Sequence, residues 1–425
     1  MRNKYFHFYY DFKPVGEGLF ATGAISNAWN DNILFNWVYD CGSSDSPAEL
    51  DREIDAYIRS QNGRGWIDFF IISHLDRDHI NGVARIMKRI RVDKIFLPYM
   101  PLVERIELAL NQPVVSPESL RFAADPAGYL AEVGSDNLGE VIFIVGGESE
   151  EYIPPVGSDE PPSPEETDLR KRIKIKKDDT SPDGAADDLK LNDYVRYSYT
   201  TATEPASIVG LWEFVFFNET FKEVDASLTE TVKKRIQGSI QGDGYFDDAE
   251  QLIDDLKDIY ENRFFKGNRR NDISLVTYSG PIVTGLLDKN FSDHHFPPPP
   301  LAWRLLHSRK TTFTYLGPLS SKPSILYFGD ITVKKRRLQK IIKWFGSARW
   351  DRITITQIAH HGSVHSWFKS AAIEFKHEYS VYSYGLHNTY KHPGKDVVDD
   401  FKTMSATILV NEHQGACCSG MLHFK

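Results

Sequence analysis

Residues 69–83 read FFIISHLDRDHINGV, and the change of character inside them decides how the chain is read. Phe69 to Ile72 form a continuous apolar run, the pattern of a strand buried on both faces. Directly beyond it, His74, Asp76, Asp78 and His79 crowd together. Burying so many ionisable groups side by side is costly unless something compensates them, and a divalent cation does so with imidazole nitrogens and carboxylate oxygens at once. His74 and Asp76 stand two apart and Asp78 and His79 are adjacent, so a tight loop points the first pair at one cation and the second at a neighbour. Two cations about 3.5–4 Å apart hold an activated hydroxide at neutral pH and clamp the attacking and leaving oxygens of a displacement. The competing reading is a solvated loop in which Asp78 caps the helix that follows.

Three other strand ends carry polar residues that fit the same site: Asp40 after NWVY, Asp330 after SILYFG, and His360 with His361 after ITITQIA. Loops where strands end at one edge of a sheet supply a rigid scaffold and a concave opening. Asp330 follows Gly329, which lets the backbone approach closely, and this suits a carboxylate bridging two metals. Asp40 is equally readable as the cap of a turn made by Gly42.

The chain of 425 residues, 41% hydrophobic, is long enough to bury a large core, and is read as one domain with insertions. The first 150 residues alternate short strand signals with amphipathic helices, which argues for an α/β or layered α+β class. From 148 to 192, Pro, Asp and Glu crowd out apolar periodicity, the signature of a flexible charged insertion on which a protein partner could dock. A helical insertion is expected over 220–268, where Ala249, Leu252, Ile253, Leu256, Ile259 and Tyr260 keep the spacing of a buried face.

A formal net charge of −9 gives no general attraction for phosphate backbones, so nucleic-acid contact must come from local basic runs. One such run, Lys334, Lys335, Arg336 and Arg337, opens an amphipathic helix just after Asp330. The three cysteines, Cys41, Cys417 and Cys418, make neither a disulfide framework nor a CxxC zinc motif. With no basic apolar leader and no run approaching the ~20 residues of a membrane helix, a cytoplasmic location without a membrane partner is expected.

SHLDRDHINGV also resembles the HxHxDH signature of the metallo-β-lactamase fold, in the variant of ComEC-type DNA-uptake proteins where Asp replaces the second histidine. PVGEGLF, VYDCG, NDISLVTYSG, YFGDI, IAHHGS, SYGLHNTYKHP and NEHQGA are similar to further motifs of that family and stand in its order. The resemblance implies a four-layer αββα sandwich with surface insertions and two metals at the edge between its halves. It implies His74, Asp76, Asp78, His79, Asp330 and one of His360 or His361 as ligands, with that choice open. His392 matches a histidine near the substrate, accompanied by Asn388, and Asp40 and Ser363 stand behind the ligands. The family's mid-chain histidine ligand has no recognisable counterpart, His294 and His295 being the candidates to replace it.

These readings converge on a metal-dependent phosphodiester hydrolase acting on nucleic acid, DNA above all, with Asp78 and His392 catalytic. Oxygen-rich ligation at Asp76 makes manganese, and magnesium, competitors to zinc for the two divalent sites. Two rivals keep the site: a hydrolase of a small ester, lactone or cyclic nucleotide, and a partner-binding subunit of a multi-protein defence system with a structural metal.

Overall fold

The computed structural model describes residues 4–28, 32–61, 63–112, 115–147, 162, 166, 168–178, 197–219, 226–240, 246–260, 274–282, 312–319 and 322–424. Most of 148–192, the ends of 220–268, and His294 and His295 lie outside the described residues.

The strands are β1 (Lys4–Phe12), β2 (Phe20–Asn27), β3 (Ile33–Cys41), β4 (Trp66–Ile71), β5 (Arg91–Pro98), β6 (Leu138–Val145), β7 (Ile173–Lys174), β8 (Tyr197–Thr201) and β9 (Ala206–Ile208). They continue as β10 (Trp212–Phe217), β11 (Val276–Pro281), β12 (Thr312–Pro318), β13 (Ser324–Tyr327), β14 (Ile353–Gln357), β15 (Tyr379–Ser383), β16 (Ala406–Val410) and β17 (Gln414–Phe424). Two mixed sheets result, one ordered β12-β17-β1-β2-β3-β4-β5-β6-β8 and the other β16-β15-β14-β13-β11-β10-β9-β7. With the helices between the strands, the class is mixed α/β, as the alternation of strand and helix signals predicts.

The apolar run of β4 sits centrally, parallel to β3 and β5. Alternate residues serve different cores: Phe69 and Ile71 join the cluster shared by both sheets, whereas Phe70 and Ile72 join one formed with helices α1 (Pro47–Ser60), α3 (Val83–Met87) and α6 (Pro126–Gly134). That is why the run lacks a polar face. Aromatic rings connect the sheets, with Trp37 of β3 against Trp212 of β10 (centroids 5.9 Å apart) and Tyr39 stacked on Tyr327 of β13 at 4.4 Å. Such pairs add to the burial of their area a preferred relative geometry, which holds one sheet in place on the other.

Helix α2 (Arg77–Ile80) begins at Asp76, whose side chain makes no capping hydrogen bond, and Asp78 lies inside its first turn. The competing reading, in which Asp78 caps this helix, is therefore excluded. Helices α4 (Leu102–Leu110), α5 (Pro117–Ala124), α7 (Ala226–Gln237) and α8 (Ala249–Tyr260) bury a third cluster, which takes Leu252, Ile253, Leu256 and Tyr260 from the predicted stripe, with Ile259 half-buried against it. Within 148–192, residues 173–174 form strand β7 on β9, and Arg170, Arg172 and Lys176 pair with Asp168, Glu166 and Glu204. Lys177 likewise pairs with Glu140, and Ile173 and Ile175 pack partly against the inter-sheet core and anchor the segment. Among the described residues, no helix is long and apolar enough to cross a membrane.

Helix α9 (Lys335–Trp350) is pinned to the second sheet by a fully buried ion pair: Arg349 donates to both carboxylate oxygens of Glu213 at 2.8 Å. Removing one partner strands a buried charge. Glu213→Ala is expected to lower unfolding free energy by about 3–5 kcal/mol, and Glu213→Leu with Arg349→Met to cost much less. Urea midpoints of the three proteins check this.

Candidate metal centre

Five chain segments leave the C-terminal ends of parallel strands and meet at one edge: Asp40 at the end of β3, residues 73–79 after β4, Asp330 after β13, His360 and His361 after β14, and the 385–392 loop after β15. Open sheets place ligand crevices at such strand ends. The backbone is held in unusual conformations here. Asp40, His360, His361 and Lys391 all have left-handed φ (51° to 62°), a cost that surrounding contacts must offset. Gly329, also left-handed at 57°, sits so close to Ser73 that a β-carbon would come within 2.8 Å of it, and so brings Asp330 against the first sheet.

Asp78, His79, Asp330 and His361 each offer one ligand atom, and the four atoms lie within 4.8 Å of one another. His79 Nε2 is 3.2 Å from Asp330 Oδ1, and His361 Nε2 is 3.3 Å from Asp78 Oδ2 and 3.7 Å from Asp330 Oδ2. A second set shares Asp330 Oδ2: His74 Nε2 at 4.0 Å and His360 Nε2 at 3.9 Å, with Asp76 Oδ2 3.9 Å from His74 Nε2. The chain thus puts both histidines of the 360–361 pair on Asp330, His361 with the first set and His360 with the second.

Do these residues fit a cation? The buried His74 Nε2 makes no hydrogen bond, and His79 Nε2 and Asp330 Oδ1 face each other at 3.2 Å without hydrogen-bond geometry, although an unsatisfied buried polar atom costs about 1–3 kcal/mol. The other ring nitrogen is engaged in every case. His79 Nδ1 donates to Asp40 Oδ2 at 2.7 Å, His361 Nδ1 to Ser383 O at 2.7 Å, and His74 Nδ1 is hydrogen-bonded to Ser73 Oγ at 2.8 Å. His360 Nδ1 meets Ser366 Oγ at 2.7 Å. Orienting a ring through Nδ1 so that Nε2 carries the free lone pair is how metal-ligating histidines are held. A group of this composition can bind a metal ion.

Electrostatics follow from the crowding. Burial alone would strip the charge from His79, yet Asp330, Asp40 and Asp78 around it raise its pKa well above the ordinary value. His361, also opposed by burial, is pushed up to about 10 by Asp330, Glu17 and Asp78. Burial opposes ionisation of Asp330 and Asp78 too, but the neighbouring histidines hold both carboxyls below their usual range. His360 goes the other way, down to about 4, through burial and the proximity of His361 and His392. The carboxylates thus favour a proton on His79 and His361, whereas burial disfavours one on His360 and His74.

The supporting shell was only partly legible. Asp40 accepts from Ser73 N–H (2.7 Å), Ser73 Oγ (2.6 Å) and His79, so its carboxylate orients the His79 ring, while Gly42 N–H donates to Leu19 O. Ser363 is buried, but its N–H donates to His360 O and the hydroxyl that meets His360 belongs to Ser366. Asn388 staples the 385–392 loop, accepting from His392 N–H at 2.8 Å and donating to His392 O at 2.9 Å. Lys334, Lys335 and Arg336 are exposed, whereas Arg337 is turned inward onto Glu219 and Thr332 O.

Sequence reasoning missed Ser73, Gln357 and Glu17. Gln357 Oε1 accepts the N–H groups of Phe328 and Gly329, fixing the turn that presents Asp330. Glu17 lies 2.7 Å from His392 Nδ1 and accepts Gly385 N–H at 2.9 Å. Its signal was an acidic residue between two glycines in PVGEGLF, where Gly18 packs on the backbone oxygens of Gly42 and Asp78.

Scanned against known protein families the chain matches none, and no curated protein matches it significantly in sequence. The geometry therefore carries the reading. Asp40→Asn is expected to weaken zinc or manganese binding by about 10- to 100-fold without removing a ligand. Asp330→Ala, which removes the carboxylate common to both sets, is expected to weaken it further, both read by equilibrium dialysis.

Proposed function

We propose that the chain is a metal-dependent phosphodiester hydrolase of metallo-β-lactamase type, its two sheets and outer helices forming a four-layer αββα sandwich, with nucleic acid as substrate. The observation that carries this reading is the position of Asp330: one buried carboxylate shared by two sets, Asp78, His79 and His361 on one hand, His74, Asp76 and His360 on the other. Asp78, His79 and His361 would hold one divalent cation and His74, Asp76 and His360 a second, with Asp330 contributing to both. Divalent metals bound there supply Lewis-acid activation of water and of a phosphoryl oxygen. The donor set mixes imidazole nitrogen with carboxylate oxygen, which suits zinc or manganese, with magnesium the harder alternative.

The chain's own groups complete the chemistry. Asp78, beside His361 Nε2, is placed to hold and orient the nucleophile's proton, and Asp40 keeps the His79 lone pair pointing inward. His392 stands against His360 and His361 with ring centroids 5.4 and 5.7 Å away, its Nδ1 bound by Glu17. Its Nε2 is thereby left to stabilise a phosphoryl oxygen or to protonate the leaving group. A small ester, lactone or cyclic nucleotide is the second reading, favoured by the net charge of −9. Salt separates the two, since polymer binding releases counterions and weakens steeply as salt rises.

Labelled single- and double-stranded DNA, given to protein loaded separately with zinc, manganese and magnesium, tests the proposal. Cleavage is expected with metal, and Asp78→Ala is expected to reduce it by at least about 100-fold with the circular dichroism spectrum unchanged. Turnover that survives the substitution would sink the assignment.

A further inference from the structure

The loop that carries His392 also carries an aromatic ring the chemistry above does not use. Tyr390 is 68% exposed, in a protein that buries most of its aromatic residues. One face of its ring is stacked on His392, with centroids 5.6 Å apart and planes 20° from parallel. A ring covered on one side and two-thirds exposed overall has its outer face open to solvent. From Tyr390 the rings of His392, His361, His79 and His74 follow one another inward at 5.6, 5.7, 5.7 and 4.1 Å, ending among the metal-ligating atoms.

The platform is held rigidly. Asn388 clips the backbone of His392 to Gly385, Glu17 accepts from Gly385 N–H, and both oxygens of Glu412 accept from Leu386 N–H. Little conformational freedom remains to be lost when something stacks on Tyr390. Exposed cations stand on two segments of this edge. Lys391 is exposed beside Tyr390, and the exposed Lys334, Lys335 and Arg336 begin α9, with Lys334 reaching the carbonyl of His365 in the turn after the histidine pair.

Resting on the hydrolase reading above, the geometry points to Tyr390 as a stacking subsite for one unpaired nucleobase of a single-stranded nucleic acid, whose flanking phosphates lie against Lys391 and the 334–336 run. Stacking on an aromatic side chain tolerates any base, and cations beside it track the backbone. A base inside a duplex has both faces covered and cannot use the ring. The subsite therefore selects single strands, ends and frayed segments.

The test is an equilibrium titration of the 425-residue chain, freed of metal so that no strand is cleaved, with a labelled oligothymidine and with an abasic strand of the same length. Tyr390→Ala is expected to weaken oligothymidine binding about fivefold to a hundredfold. Its affinity should fall to that of the abasic strand, while Tyr390→Phe retains the wild-type preference for bases. An equal loss on both strands, no loss on either, or a wild type that does not prefer the base-bearing strand would each overturn the subsite. Hydrolysis of bis(4-nitrophenyl) phosphate by metal-loaded wild type is read separately, so a failed hydrolase reading and a failed subsite give different results.

Discussion

The carboxylate of Asp330 is where the two sheets meet electrostatically, and the rest of the site is arranged around it. It is carried by the second sheet, 3% exposed, while His74, Asp78 and His79 come from the first. Neither sheet alone assembles a ligand set. The inter-sheet stacks of Trp37 on Trp212 and Tyr39 on Tyr327 are thus more than core filling, since a slip of one sheet over the other would pull Asp330 off His79. Packed interiors resist such slips because close-packed side chains have few alternative arrangements.

Gathering these groups has a cost that the surroundings meet in two ways. Hydrogen bonds fix each of the four histidines through Nδ1, with Asp40, Ser73, Ser366 and the carbonyl of Ser383 as partners. Backbone strain is concentrated at the same place, in the left-handed conformations of Asp40, His360 and His361, and is sustained by neighbours such as Gln357 that over-determine the turns. What remains without a hydrogen bond, His74 Nε2, His79 Nε2 and Asp330 Oδ1, is the part that a divalent cation would satisfy under the proposed reading. Outward from that centre the character changes from buried carboxylate and imidazole to exposed tyrosine and lysine.

Proximity within one loop is legible in a sequence. His74 to His79 follow an apolar strand directly, so their convergence needs only a tight turn, and the alternation of strands and helices announces a mixed α/β class for the same local reason. The helical stripe from Leu252 to Tyr260 is equally local. Less legible was the segment 170–177, inside the stretch whose composition predicts a flexible charged insertion. In the structure the edge strand β7 and nearby carboxylates absorb it, because two isoleucines outweigh composition once a sheet edge is available.

By itself, then, the sequence determined which residue types stand at strand ends, and hence that a cluster of histidines and aspartates would form beside a buried strand. Only the tertiary structure decided which of them share a carboxylate, that His361 stands with Asp78 across 283 residues of chain, and that Glu17 reaches His392 across 375. The physical reason is that strand periodicity and turn chemistry act over a few residues, while a ligand distance depends on how two sheets stack. That stacking is set by the sum of many aromatic and aliphatic contacts, none of which a local motif contains.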